Sequence, residues 1–258
     1  MPTTFPQIIT TQIGVTHTGK NYILDKGMPL LMFGAYIKSF APYIGMIKLG
    51  WTTWALFDQH ELDAKIALAK HYHIPLCLGG TLFEICATEG YYQQLLDYIV
   101  EKELINIELA SGFAVEYHEL PTLIKQATDR GLRVLVEIGY KNQEMDDSLS
   151  VPERIGHIDS AFRAGADAVI LEAREAGEGY SVFKTNQAKN ADLVTQLLKS
   201  YDLDKLIFEA PTRNSQIQMV QLLGPNVHMA NIPFDEIPRI ETIRRGLHAD
   251  TFLASKYR

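Results

Sequence analysis

Eight short, almost continuously apolar runs, each followed by a polar or helical stretch, constrain this chain more than any other feature. They are Tyr22–Leu24, Ile44–Leu49, Leu76–Leu78, Leu104–Ala110, Val134–Ile138, Ala168–Leu171, Leu206–Phe208 and Val227–Ala230. A strand with one face in water alternates apolar and polar residues, whereas a strand covered on both faces stays apolar. Such strands belong in a parallel sheet, where each neighbour is reached through a crossover, usually a helix. The helices are visible too. Asp58-Gln59-His60-Glu61 has the form of a capping box ahead of Leu62, Ile66 and Ala69. Leu95, Leu96 and Ile99 give the next stripe, and Leu120, Leu123, Ile124 and Ala127 another, closed by Gly131. Ser150 and Pro152 open a helix with Ile155, Ile158 and Phe162 on one face and Gly165 at its end; Leu193, Val194, Leu197 and Leu198 mark a further one. Eight such units in 258 residues leave little room for insertions. The expected fold is α/β, a single (β/α)8 TIM barrel over residues 1–258 with a short N-terminal extension. A doubly wound open sheet is the alternative architecture.

Composition removes whole classes of function. Lys+Arg number 24 against 31 Asp+Glu, a formal charge of −7, which argues against a nucleic-acid partner. No apolar run approaches the roughly 20 residues of a membrane span. Two cysteines, Cys77 and Cys86, exclude a disulfide scaffold and a Cys-rich zinc site, and both read as inert thiols. The first basic residue is Lys20, so the start lacks the basic segment of a secretory signal and a cytoplasmic location is expected. The eight histidines show no metal-ligand spacing. Trp51 and Trp54 read as packing residues.

In a barrel the reaction site lies where the strands end. Four successive runs end alike: Ile107-Glu108-Leu109-Ala110, Val136-Glu137-Ile138-Gly139, Leu171-Glu172-Ala173-Arg174 and Phe208-Glu209-Ala210-Pro211. Carboxylates converging on one mouth repel unless neutralised. The neutralisers are basic side chains (Lys26, Lys48, Lys141, Arg174 and Arg213 are near strand ends) or a hard divalent cation such as Mg²⁺. A purely structural ion-pair network is the alternative. Gly79-Gly80-Thr81 brings backbone N–H groups within reach of an anion, or makes an ordinary turn. Arg244-Arg245-Gly246 follows the eighth run, where barrels often hold phosphate.

Asp25-Lys26-Gly27, Lys48-Leu49-Gly50-Trp51, Gly79-Gly80-Thr81-Leu82-Phe83-Glu84, Glu137-Ile138-Gly139, Glu172-Ala173-Arg174-Glu175, Phe208-Glu209-Ala210-Pro211 and Ile243-Arg244-Arg245-Gly246-Leu247 occur in this order. In these segments, from about Asp25 to Phe252, the chain resembles the phosphosulfolactate synthase family. The resemblance implies a (β/α)8 barrel that adds sulfite to the methylene carbon of phosphoenolpyruvate with Mg²⁺, giving (2R)-3-sulfo-2-phospholactate. It implies Lys141 as proton donor, with Lys48 as the alternative, and Glu108, Glu137 and Glu172 on the metal. Asp25, Lys26, Gly79, Gly80, Thr81, Arg174, Glu209, Arg213, Asn231, Arg244 and Arg245 become the substrate-binding set. The expected partner is a small anionic phosphorylated substrate, with no nucleic acid or membrane, and a homo-oligomer is open.

The chain departs from the family pattern at Gly45, at Thr52 (Gly in the motif), at Ser111 (Asp), at Tyr140 (Lys), at Ala176, at Arg213 and Ser215, and at His228-Met229. Most of these changes are expected at strand ends, where substrate sits. The alternatives they raise are a paralogue with another phosphorylated substrate or nucleophile and a non-catalytic, stress-associated barrel protein.

Overall fold

The computed structural model describes residues 6–172 and 187–256. The strands are β1 (Asn21–Asp25), β2 (Ile44–Leu49), β3 (Leu76–Leu78), β4 (Asn106–Ala110), β5 (Arg133–Ile138), β6 (Ala168–Leu171), β7 (Leu206–Glu209) and β8 (His228–Ile232). Every apolar run read from the sequence is a strand, with boundaries moved by at most two residues. All neighbours pair in parallel, and β8 pairs with β1, so the sheet closes in the order β1 to β8. The open-sheet alternative fails on that last pairing.

Side-chain alternation divides each strand between two cores. The outward set, including Ile23, Ile47, Leu49, Leu78, Ile107, Leu109, Val134, Val136, Ile138, Leu171 and Phe208, packs under the helices. Inside the barrel, Met46, Cys77, Leu135, Ile170, Ile207 and Ala230 form a separate apolar layer. Two residues further along their strands, Met46, Leu135, Ile170 and Ile207 are followed by Lys48, Glu137, Glu172 and Glu209. The period of two therefore stacks a charged layer directly above an apolar plug, on the side where the strands end.

Local signals set the helices. Ser150 and Glu153 form a reciprocal capping box at the start of the Val151–Ala164 helix, which ends at Gly165 with φ 108°. At Asp58 the cap differs from expectation. Its carboxylate accepts from His60 N–H at 2.7 Å, but Glu61 accepts instead from Leu30 N–H at 3.0 Å, at the start of the neighbouring helix Leu30–Phe40. Among the described residues, no helix is long and apolar enough to cross a membrane.

Candidate active site

The charged layer lines a cavity of about 280 Å³ at the mouth, bounded also by Trp51, Gly79, Gly80, Thr81 and Asn231. Its floor is Lys48. The Lys48 ammonium lies 3.0 Å from Glu108, 3.7 Å from Glu209 and 3.9 Å from Glu137. Burial alone would favour the neutral amine, but these carboxylates outweigh it and push the Lys48 pKa well above its usual range. Lys141 stands higher, its side chain 38 % exposed, with Nζ 2.8 Å from Glu137 Oε1 and 3.0 Å from Glu172 Oε2. Here too burial opposes the charge, and Glu137, Glu172 and Glu209 override it and raise the pKa.

The two carboxylates that share Lys141 differ. Burial opposes ionisation of Glu137, yet Lys141, the hydrogen bond with Glu172 and Lys48 hold it below the usual carboxylate range. Burial and the charges of Glu137 and Glu209 push Glu172 well above that range. Crowded like charges thus drive the proton affinities of the two carboxylates apart, Glu137 downward and Glu172 upward.

Glu137, Glu172 and Glu209 each offer one oxygen, all within 4.8 Å of one another. Oxygen is the preferred donor of Mg²⁺, whose octahedral ligands are about 3.0 Å apart when adjacent and about 4.2 Å when opposite. Three carboxylates from adjacent strands therefore fit a hard divalent cation once their oxygens draw inward on it. Glu108 stands outside this trio. Its Oε1 accepts from Lys48 Nζ at 3.1 Å and from Gly80 N–H at 2.9 Å. A Cβ on Gly80 would sit 2.9 Å from Ala110 Cβ, so only glycine allows this approach. Gly139, at φ 141°, likewise leaves room for Glu172, whose Cβ would otherwise be 2.5 Å away.

The structure sorts the remaining sequence candidates. Gly79, Gly80, Thr81, Glu209 and Asn231 line the cavity. Asn231 has φ 58°, and its Oδ1 is buried without a hydrogen-bond partner. Lys26 reaches the rim, with Nζ 4.8 Å from the centre of the Trp51 ring. Trp51 is 47 % exposed and walls the cavity, which corrects its reading as packing; Trp54 does pack, against Tyr98. Asp25 is not on the cavity wall: Oδ1 accepts from Gly27 and Met28 N–H, and Oδ2 pairs with buried Lys65 at 2.9 Å. Arg213 turns to Asp250 at 2.7 Å. Arg244 and Arg245 are at the opposite end. The helix Ile237–Arg244 carries the chain back, and Arg244 donates to the carbonyls of Pro225, Val227 and Lys20, at the strand starts. Arg245 pairs with Glu241. Arg174 lies outside the described residues.

The departures from the family pattern mostly avoid the cavity. Gly45 and His228 are at strand starts. The buried Ser111 hydroxyl donates to Val115 O, and Tyr140 packs on Tyr117; neither lines the cavity.

A family model described as (2R)-phospho-3-sulfolactate synthase (ComA) matches residues 15–250. The chain belongs to this family. Phosphosulfolactate synthase from Methanocaldococcus jannaschii is 36 % identical over 91 % of this chain and 94 % of its own length. The Bacillus subtilis phosphosulfolactate synthase is 35 % identical over 91 % and 92 %. The protein is thus an enzyme of the phosphosulfolactate synthase family. More distant structures share the barrel alone. Phosphoenolpyruvate phosphomutase from Streptomyces platensis subsp. rosaceus has a TM-score of 0.54 and 13 % identity, covering 97 % of this chain and 88 % of that one.

One side chain of the family motif escaped any sequence-based role. Glu84, from the helix Gly80–Thr88, is fully buried and accepts backbone N–H groups from Gly112, Phe113, Ala114 and Val115. A helical Glu with no charge partner in sequence gives no hint of such a target.

Proposed function

We propose that the protein adds sulfite to the methylene carbon of phosphoenolpyruvate in a Mg²⁺-dependent reaction. The observation that carries this reading is the clustering of Glu137, Glu172 and Glu209 with Lys141 over a small polar cavity, in a chain of this family. The sulfur lone pair forms the C–S bond, the enol π electrons move toward the substrate carboxylate, and a proton is then delivered to the phosphate-bearing carbon. Glu137, Glu172 and Glu209 would hold the metal, in place of the sequence-based set that included Glu108. When bound, Mg²⁺ stabilises the charge that builds on the carboxylate.

Lys141 is the proton donor in this scheme: it is charged, at the rim, and reaches into the cavity. Its two carboxylate partners hold the proton firmly, so donation requires that their charge be shared elsewhere. Lys48, paired with three carboxylates at the cavity floor, acts as a fixed cation that keeps Glu108, Glu137 and Glu209 together. Thr81, the turn at Gly79-Gly80, Asn231 and Lys26 are the groups left to bind the substrate's anionic ends. The departures at Gly45, Ser111 and Tyr140 lie off the cavity, which favours this reading over a redirected or lost activity.

Incubation with phosphoenolpyruvate, sulfite and Mg²⁺ tests the proposal. Loss of the enol absorbance with formation of a phosphorylated sulfonate supports it. Absence of turnover with sulfite rejects it.

A further inference from the structure

We infer that Glu84 is a positioning residue for Lys141, acting through the loop after β4. This rests on the assignment of Lys141 as proton donor. Four consecutive backbone N–H groups, from Gly112 to Val115, converge on the Glu84 carboxylate at 2.8–3.2 Å. A loop of this shape collects an anion, and here the anion is supplied by the protein itself. The arrangement leads directly to the lysine. Gly112 O accepts from Lys141 N–H at 3.0 Å, fixing the Lys141 backbone to the loop. The Gly112 α-carbon also presses on the lysine side chain: a Cβ there would lie 2.8 Å from Lys141 Cγ and 3.0 Å from Glu84 Oε1. Glu84, Gly112 and Lys141 are therefore one packed unit.

The rest of the Lys141 segment is anchored independently. Gly139 N–H donates to Tyr117 Oη at 2.8 Å, and Tyr140 N–H donates to Asp146 Oδ1 at 3.1 Å. Asp146 is held in turn by buried Arg154 at 2.9 Å. Those anchors secure the residues before the lysine. The loop held by Glu84 contacts both the backbone N–H and the side-chain stem of Lys141. Replacing the carboxylate by an amide turns an NH2 group toward N–H donors, so at least one loop hydrogen bond is lost and the shelf under Lys141 loosens. Misplacing a reacting group by about 1 Å costs up to roughly 100-fold in rate without requiring weaker substrate binding.

The test uses the full chain with Glu84→Gln and Glu84→Asp. Amide exchange is followed in peptides covering 112–115 and 139–141. Acylation of Lys141 by acetic anhydride is measured by mass spectrometry against exposed Lys125, and kcat and KM are measured with phosphoenolpyruvate and sulfite. In Glu84→Gln, both segments should lose protection, and Lys141 should acylate several-fold faster relative to Lys125. kcat should fall about 10- to 100-fold while KM for phosphoenolpyruvate changes less than about threefold. Glu84→Asp, which keeps the charge, should lie between wild type and Glu84→Gln, and it carries the comparison if the amide variant does not fold. Exposure of 112–115 with 139–141 and Lys141 reactivity unchanged would overturn the inference. So would a rate loss matching the loss of folded protein. If wild type does not turn over these substrates, the proposed function fails while the exchange and acylation measurements still decide the role of Glu84.

Discussion

Lys48→Met removes the one ammonium on the cavity floor while roughly preserving side-chain length. Lys48 lies 3.0, 3.7 and 3.9 Å from Glu108, Glu209 and Glu137. At an effective dielectric constant of about 20, each attraction is worth about 4–6 kcal/mol before desolvation is counted. Burying the ions costs several kcal/mol each, so the pairs contribute little net to stability. Removing only the cation leaves that cost uncompensated, which typically destabilises by about 3–5 kcal/mol. For a chain of this size that corresponds to a fall in Tm of roughly 6–20 °C. Glu108→Gln added to Lys48→Met removes one stranded charge and still accepts the Gly80 N–H. The double variant should therefore recover at least about 1.5 kcal/mol relative to Lys48→Met. Urea unfolding of the three proteins, followed by circular dichroism, measures both quantities. A loss below about 1 kcal/mol in Lys48→Met, or a double variant less stable than the single one, would refute the view of Lys48 as counter-ion to a carboxylate cluster.

Three further outcomes follow from other parts of the molecule. Mg²⁺ at saturating concentration should raise Tm of wild type and of Glu108→Gln but not of Glu137→Gln or Glu209→Gln, since only a bound ligand stabilises by mass action; an equal shift in all four, read by scanning fluorimetry, would remove these residues from the metal site. Thr52 sits at φ 59°, where the family motif carries Gly. The left-handed conformation costs a non-glycine residue about 1–2 kcal/mol and glycine's extra chain entropy returns part of that, so Thr52→Gly should stabilise by about 0.5–1 kcal/mol in urea unfolding. Burial would raise the Glu241 pKa, but hydrogen bonds from His17, Arg245 and Asn21 lower it below 4.5. Its stabilising contribution is therefore present above pH 4.5 and lost as the pH falls through the depressed folded value, and Glu241→Gln should flatten stability against pH across that acid window.

The barrel was legible because strands buried on both faces must be apolar throughout, and eight such runs leave few other topologies. The charged layer was legible for a related reason: Glu137, Glu172 and Glu209 each follow an inward apolar residue by two positions. What the sequence concealed was which carboxylates meet. Glu108 shares the strand-end position but follows Asn106 rather than an apolar residue, and Lys48 and Gly80 N–H claim it. Arg244 was misassigned because proximity to β8 in sequence suggested the mouth, whereas the helix Ile237–Arg244 returns the chain to the strand starts. Asp25 was misread because its partner, Lys65, is forty residues away on a helix. Glu84 was silent for the opposite reason: its partners are backbone N–H groups, which carry no residue identity.

A crystal structure with Mg²⁺ and phosphoenolpyruvate bound tests the proposed site most directly. One metal ion is expected about 2.1 Å from oxygens of Glu137, Glu172 and Glu209, with Lys141 Nζ within hydrogen-bonding reach of the substrate. A metal held by Glu108, or a substrate bound away from Lys141, would contradict it.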